Sequence, residues 1–115
     1  MKINVIPKIK LDMEVVGVTW INDDNFKEMI KNPDEIIIND EKIHIRYDYP
    51  IKRITFKHFH SKKGFTKYEL YKCIYEGYEQ LKDEGMIILH VLEHLVIEEV
   101  IYSKFSQTCL LHIGS

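Results

Sequence analysis

The chain has 115 residues, of which 45% are hydrophobic and 30% charged, and its formal net charge is −2. This composition is typical of a folded protein and excludes a disordered one, and the length predicts a single domain over residues 1–115. No stretch reaches the roughly 18 apolar residues that a membrane span needs, and the first residues lack a signal-peptide core, so we expect a cytoplasmic protein with no membrane partner. Cys73 and Cys109 are therefore expected to be reduced thiols in the core.

Charge is unevenly distributed along the chain. Residues 41–67 hold eight basic and two acidic side chains, a charge of +6. Residues 1–40 hold five and eight, and residues 68–115 hold three and eight, so these flanks carry −3 and −5. A basic segment between two acidic ones indicates a partner surface, although oppositely charged segments of one fold can also lie side by side without binding anything.

The first third of the chain predicts two strands. Residues 2–10 alternate loosely between apolar and polar side chains and are typical of an edge strand that Pro7 breaks. Residues 14–21 form a β-branched and aromatic run, which is typical of a second strand.

A short helix is predicted near residues 25–31. Asp23 or Asp24 precedes it and can accept hydrogen bonds from its free N–H groups. The pair Asn32-Pro33 is expected to end it, because a residue that precedes proline avoids the α conformation.

The middle of the chain predicts three strands. Residues 35–39 and 42–49 are predicted to form a hairpin, because an Asn-Asp-Glu turn joins two apolar or alternating runs. Residues 52–60 alternate again and predict a further strand. One face of that strand would carry Ile54, Phe56, His58 and His60, and the other Arg53, Thr55, Lys57 and Phe59.

The strongest local signal predicts a long amphipathic helix over about residues 67–84. Thr66 is its N-cap, and Glu69 three residues later completes a capping box. Gly85 supplies the left-handed residue that ends it. Its apolar stripe is formed by Leu70, Ile74, Gly77 or Tyr78, and Leu81.

The last third leaves two interpretations open. In the favoured one, residues 86–89 form a strand, residues 90–95 a single helical turn, and residues 96–102 and 108–113 a hairpin. A continuous helix over residues 88–105 also fits the apolar spacing. The predicted fold class is α+β, an antiparallel sheet with the long helix packed across one face.

From Ile54 onward the order of elements is distinctive. It contains the sequence Gly64-Phe65-Thr66, a capped helix with Tyr75 and Tyr78, the segment Leu95-Val96-Ile97-Glu98, and the ending Leu111-His112-Ile113-Gly114-Ser115. Over about residues 54–115 this order resembles a loose group of small proteins encoded by large DNA viruses of protists. The resemblance implies an accessory protein made in a host cytoplasm, and it implies no activity or site residue.

Residues 90–94 spell H-x-x-E-H, the pattern of an inverted zinc peptidase. On a helix His90 and His94 share a face and can bind zinc, while Glu93 can activate a metal-bound water. That class also needs an acidic ligand well downstream, and Glu98 and Glu99 are the only acids among the last 21 residues. A histidine turn at the surface or in the core is the favoured interpretation, and a zinc-dependent hydrolase is the alternative.

A second candidate metal site is the pair His58 and His60, whose imidazoles share one face of a strand. A third ligand would come from His44, His90, His94 or His112. The sequence leaves open whether these side chains converge, and the pair can equally be part-buried or exposed without a ligand.

The basic segment is a candidate polyanion or nucleic-acid surface, because cations bind phosphates and exposed aromatic rings stack on bases. Lys62 and Lys63 also precede a helix N-terminus, where free N–H groups favour an anion. Against this, the strand pattern would bury several of the aromatic rings, and no glycine-rich phosphate loop occurs. The candidate binding residues are Arg46, Lys52, Arg53, Lys57, Lys62, Lys63 and Lys67.

Tyrosines on the long helix are a candidate protein interface, because tyrosine combines apolar area with a polar tip. The candidates are Tyr68, Tyr71, Tyr75 and Tyr78. The alternative is that this stripe only widens the core-facing side of the helix.

No catalytic residue is predicted, since neither cysteine has a catalytic setting and no serine lies in a G-x-S-x-G elbow. The favoured function is a non-enzymatic accessory or protein-interaction module without a cofactor, acting through the helix and the adjacent basic strands. Polyanion binding through residues 42–67 is the first alternative, and zinc-dependent hydrolysis is the second.

Overall fold

The computed structural model describes residues 7–115 and contains two small helices, one long helix, a 3-10 helix and eight strands. The helices are the 3-10 helix Val18–Asn22, α1 (Phe26–Met29), α2 (Lys67–Asp83) and α3 (Leu89–Leu92). The strands are β1 (Lys8–Lys10), β2 (Val16–Gly17), β3 (Ile36–Ile38), β4 (Lys42–Tyr47), β5 (Thr55–His60), β6 (Phe65–Thr66), β7 (Val96–Ser103) and β8 (Thr108–Gly114).

The main sheet has the strand order β1-β7-β8-β4-β5, and β2 also pairs with β7. Its neighbours are antiparallel except β4 and β8, which run parallel. A second, two-stranded sheet pairs β3 with β6. The α+β fold class is therefore confirmed, with one parallel pair inside an otherwise antiparallel sheet. None of the helices in residues 7–115 is long and apolar enough to cross a membrane.

Helix α2 begins and ends where the local signals place it. The Thr66 side chain accepts a hydrogen bond from the Glu69 N–H, and the Glu69 carboxylate accepts one from the Thr66 N–H, so the capping box is confirmed. Gly85 follows the helix with a φ of +78°. The apolar stripe packs on the sheet, and its buried members are Leu70, Ile74, Tyr78 and Leu81.

Helix α2 meets strand β4 through Gly77 and Ile74, which contact Tyr47. The fully buried Tyr47 of β4 donates its hydroxyl proton to the Ile74 carbonyl at 2.9 Å, and its ring meets that of Tyr78 edge-on at 4.8 Å. A Cβ atom at Gly77 would lie 1.9 Å from the Tyr47 hydroxyl oxygen. Only glycine therefore fits at this crossing.

Two predicted strands fall near the N-terminus. The edge strand is present as β1, and residues 2–6 of that prediction lie outside the described residues. Of the strand predicted over 14–21, only Val16–Gly17 is a strand (β2), and the rest of the prediction is wrong, because the chain turns into the 3-10 helix after Gly17. That turn buries Val18 and Ile21 together, since positions three apart share one side of a 3-10 helix.

The predicted short helix is confirmed, although α1 covers only Phe26–Met29. The Asp23 carboxylate accepts a hydrogen bond from the Asn25 N–H at 2.8 Å. Asn32 adopts a left-handed φ of +52°, so the helical path has ended before Pro33.

The predicted hairpin over 35–49 is wrong, because β3 and β4 belong to different sheets. β3 pairs with β6 just ahead of α2, whereas β4 is bonded by β5 on one side and β8 on the other. Both edges of β4 are thus occupied by more distant strands. The strand predicted over 52–60 is confirmed over Thr55–His60, as β5, and residues 52–54 precede it, with a bend at residues 52 and 53.

In the last third the hairpin is confirmed as β7 and β8, and the alternative helix over 88–105 is wrong. The helical turn near 90–95 is also confirmed, as α3. The strand predicted over 86–89 is wrong. After Gly85 the Met86 N–H bonds to the Leu81 carbonyl, which continues the end of α2, and α3 begins at Leu89.

Candidate functional site

The two faces of the main sheet have different surroundings. On one face Ile43, Ile45 and Tyr47 of β4 are fully buried beneath α2. On the other, Phe56, His58 and His60 of β5 are exposed, and no helix of the described residues covers them. We call this second side the open face.

Strand register places side chains from all five strands in rows across the open face. One row crosses the sheet from β1 to β5. A second row lies parallel to it, two residues away on each strand, since alternate residues of a strand share a side. The first row is Lys8, Ser103, Thr108, His44 and His58, and the second is Lys10, Ile101, Leu110, Arg46 and Phe56. The open face thus collects residues from both ends and the middle of the chain.

The open face is basic toward the end where β4 begins. Lys8, Lys10 and Lys42 lie there without an ion-pair partner among the described residues, and Arg46 lies beside them in a long ion pair with Asp48, with 3.8 Å between Nε and the carboxylate oxygen. Toward the opposite end, Glu99 lies 3.6 Å from a ring nitrogen of His112. The charge of the face is therefore polarised along the strands.

A shallow depression lies in the middle of the basic end. Lys8, Arg46 and Phe56 line it together with Leu110 and the hydroxyl residues Ser103, Ser106 and Thr108. The Arg46 Nε atom is buried and has no hydrogen-bond partner in the described part of the chain. Phe56 remains 45% exposed. The depression therefore offers cations, hydroxyls and an aromatic ring, and no carboxylate lines it.

Four histidines belong to the open face, and two of them are in contact. The four are His44, His58, His60 and His112. His44 and His58 are cross-strand partners whose Nδ1 atoms lie 2.6 Å apart with the rings edge-on. One ring must donate and the other accept, so at least one Nδ1 atom is unprotonated. Burial, then the His58 ring and the Lys42 charge, lower the pKa of His44 below its usual value. His60 lies on the same side of β5, opposite Lys42.

The H-x-x-E-H residues lie on α3 and its C-terminal end. His90 and His94 are exposed, and their rings meet edge-on with centroids 4.9 Å apart. Glu93 is the C-cap residue. Within residues 7–115 no group of three histidine, cysteine or acidic side chains is placed to hold a metal, which covers both this motif and the pair His58 and His60.

The predicted basic segment does not form one surface. Only Arg46 of its seven candidates lies on the open face. Lys57 points to the other side of β5 and pairs with Glu84 at 2.7 Å. Lys67 is buried and pairs with Glu14. The four exposed candidates lie in the loops before β5 and β6, and they are Lys52, Arg53, Lys62 and Lys63.

The start of α2 has no free donors for an anion. The Lys67 N–H bonds to the Glu35 carbonyl at 2.9 Å and the Tyr68 N–H to the Pro33 carbonyl at 3.0 Å. The next N–H, of Glu69, is taken by the Thr66 hydroxyl. The N–H groups that were expected to bind an anion beside Lys62 and Lys63 are therefore not free. Backbone carbonyls and the Thr66 hydroxyl already accept their hydrogen bonds.

The tyrosine stripe divides between core and surface. Tyr71 and Tyr78 are fully buried, and their hydroxyls donate to the carbonyls of Glu14 and Tyr49. Tyr75 donates to the Glu79 carboxylate, and the Tyr68 ring lies 5.4 Å beneath the Lys27 ammonium. Tyr71 and Tyr78 widen the core side of the helix and are not available as an outward interface.

Both cysteines are free thiols: Cys109 is buried in the core, and Cys73 packs against it partly buried. Burial raises the pKa of Cys73 and of Cys109 to about 12. Thiols of that kind are protonated at neutral pH and are poor nucleophiles.

An apolar depression lies at the end of the molecule where α2 stops. Pro50, Met86, Ile87, Ile88 and Val91 line it together with Gly85. Ile88 is 64% exposed and its neighbour Leu89 is 52% exposed, so this region presents apolar side chains to solvent.

Sequence reasoning missed three of the four open-face cations. Lys8 and Lys10 belong to a segment with a net negative charge, whereas Lys42 begins the candidate segment 42–67 but is not among the seven candidate binding residues. The signal that could have found the first two is their alternation around Ile9, which puts both on one side of a strand.

Comparisons with known proteins found no similar protein: no protein-family model, curated protein or solved structure matches this chain significantly.

Proposed function

We propose that the protein is a non-enzymatic binding module whose open face holds an extended polyanion, with single-stranded nucleic acid as the ligand class. The observation that carries this proposal is the row Lys10, Ile101, Leu110, Arg46 and Phe56, which sets cations beside an exposed aromatic ring on a face that no described helix covers. Proteins that bind single-stranded nucleic acid commonly combine cations that contact the phosphate backbone with an aromatic ring that stacks on the bases.

The distribution of charge along the open face favours binding of the polyanion at the basic end. The basic end attracts the backbone, while Glu99 repels it from the opposite end. With three or four phosphate contacts, the logarithm of affinity is expected to fall with the logarithm of salt concentration with a slope of about −2 to −3.

The test is a titration of a fluorescently labelled twelve-residue oligothymidylate between 25 and 200 mM NaCl. Lys8→Gln/Arg46→Gln should weaken binding at 25 mM NaCl by at least about tenfold and make the salt slope shallower by about 1.4. Lys62→Gln/Lys63→Gln is the matched control, since it removes the same charge from the loop between β5 and β6, outside the depression that Lys8 and Arg46 line. Absence of binding at 25 mM NaCl, or an equal loss in the control, refutes the proposal.

The second candidate function is a protein-interaction module, and the apolar depression beside α3 favours it. Apolar side chains that remain exposed together are typical of protein contacts. Ile88→Ser/Leu89→Ser should abolish co-purification of one identified partner without changing the melting temperature. Val15→Ser, at an exposed apolar residue elsewhere, is the control. Retention of the partner by the Ile88/Leu89 variant removes this candidate.

The resemblance of residues 54–115 to small proteins of large DNA viruses supports a biological setting for either candidate. In that setting the protein acts as an accessory factor in the cytoplasm of a host cell. Both functions fit this setting, because neither one needs a cofactor or a membrane.

A further inference from the structure

The depression on the open face is built differently from the rest of that surface. Two cations, three hydroxyl residues and one aromatic ring surround it, and no acidic side chain lines it. We infer that it is a nucleotide subsite, in which the phosphate lies between Arg46 and Lys8 and the base stacks on Phe56. This inference rests on the proposed function and identifies one nucleotide as the part of the polyanion that the depression binds.

Arg46 carries the argument for a phosphate. Its Nε atom is buried and has no hydrogen-bond partner within residues 7–115. The nearest carboxylate oxygen, on Asp48, is 3.8 Å away, which is beyond hydrogen-bond distance. The Arg46 side chain as a whole is 37% exposed, so its guanidinium reaches the depression, whereas the buried Nε–H lacks the acceptor that buried donors in native structures usually have. A phosphate oxygen in the depression supplies the missing acceptor, and guanidinium groups suit phosphate geometry.

The remaining walls suit the same anion. Lys8 is exposed and lies directly across from Ser103 in the strand register, so its ammonium can reach a ligand beside that hydroxyl. The Thr108 hydroxyl donates to the Ser106 carbonyl at 3.1 Å, which commits its proton. Ser103 and Ser106 then supply the hydroxyl donors for the phosphate.

Phe56 supplies the second half of a nucleotide site. It is the cross-strand partner of Arg46, so its ring and the guanidinium lie side by side on adjacent strands. The ring is 45% exposed and carries no polar atom. It therefore stacks on any base without reading its edges, and the subsite takes nucleotides with little base preference.

Calorimetric titration with adenosine monophosphate, adenosine and inorganic phosphate tests the subsite. The monophosphate should bind at least about tenfold more tightly than adenosine, since a charge-assisted phosphate contact is worth about that factor. Arg46→Gln should weaken monophosphate binding about tenfold, whereas Arg53→Gln, an exposed arginine outside the depression, should leave it unchanged. Phe56→Leu should weaken the monophosphate and leave inorganic phosphate unaffected.

The outcomes separate the subsite from the proposed function. Equal affinity for monophosphate and adenosine, or equal losses in the two arginine variants, overturns the subsite. If the oligothymidylate binds while the monophosphate does not, the subsite fails and the polyanion surface stands. If the monophosphate binds in an Arg46-dependent way while the oligothymidylate does not, the subsite stands and the proposed function fails.

Discussion

Gly77→Ala tests the contact that seats α2 on the sheet. Alanine normally stabilises a helix relative to glycine by about 1 kcal/mol. Here the added Cβ would lie 1.9 Å from the Tyr47 hydroxyl oxygen and 2.4 Å from its ring carbon Cζ. Tyr47 is fully buried, so its ring cannot swing into solvent. The helix must move, or the hydroxyl must leave the Ile74 carbonyl.

The expected change in the free energy of unfolding follows from three contributions. Overpacking of a tight core costs about 3 kcal/mol at the upper end of its range. Loss of the buried hydroxyl hydrogen bond costs about 1 kcal/mol more, and the higher helix propensity of alanine returns about 1 kcal/mol. Gly77→Ala should therefore destabilise the protein by about 3 kcal/mol.

Urea denaturation followed by circular dichroism at 222 nm measures this change. Gly85→Ala is the matched control, because a Cβ there meets nothing within 4 Å and costs only about 1 kcal/mol through its left-handed φ. If Gly77→Ala is neutral or stabilising, or no more costly than Gly85→Ala, then α2 does not cross β4 at this position and the reasoning is refuted.

Three further predictions concern buried or coupled groups. Glu14→Gln should lower the free energy of unfolding by about 2–3 kcal/mol, because it leaves the buried Lys67 ammonium without its carboxylate; an unchanged urea midpoint would contradict this. The lowered pKa of His44 makes its contribution to stability complete above about pH 6.5 and lost as pH falls through the lower folded-state value. His44→Gln should therefore lose less melting temperature than the wild type between pH 7 and pH 5, and parallel curves would argue against it. Alkylation of Cys73 and Cys109 by iodoacetamide at pH 8 should be at least about 100-fold slower in the folded protein than in urea, and equal rates would show that the thiols are accessible.

The elements that sequence reasoning predicted correctly are those with local signals. Helix α2 is bounded by a capping box within four residues and by a glycine that ends it, so neither boundary depends on the rest of the fold. The β7–β8 hairpin likewise joins neighbouring segments. Where partners are distant, the prediction failed. β4 pairs with β8, which begins 66 residues after β4 does, and the turn beside β4 carries no information about that choice.

The candidate site shows the same limit of sequence reasoning, because the order of charges along the chain does not reveal where they lie in the fold. A count along the chain treats Lys67 as a surface cation, yet the fold buries it against Glu14, 53 residues away. It also omits Lys8 and Lys10, which reach the open face only because β1 adds to the far side of β7. Charge density in a segment therefore does not predict which side chains share a face.

Strand β4 connects the stability prediction to the proposed binding surface. Its residues alternate between the core beneath α2 and the open face, so Tyr47 and Arg46 are neighbours in sequence with opposite surroundings. A register shift of one residue would exchange the two sets completely. The fit of Gly77 over Tyr47 fixes that register from the core side, and it thereby fixes Arg46 on the open face. If Gly77→Ala costs as much as expected, the cation that anchors the inferred phosphate is on the side where binding requires it.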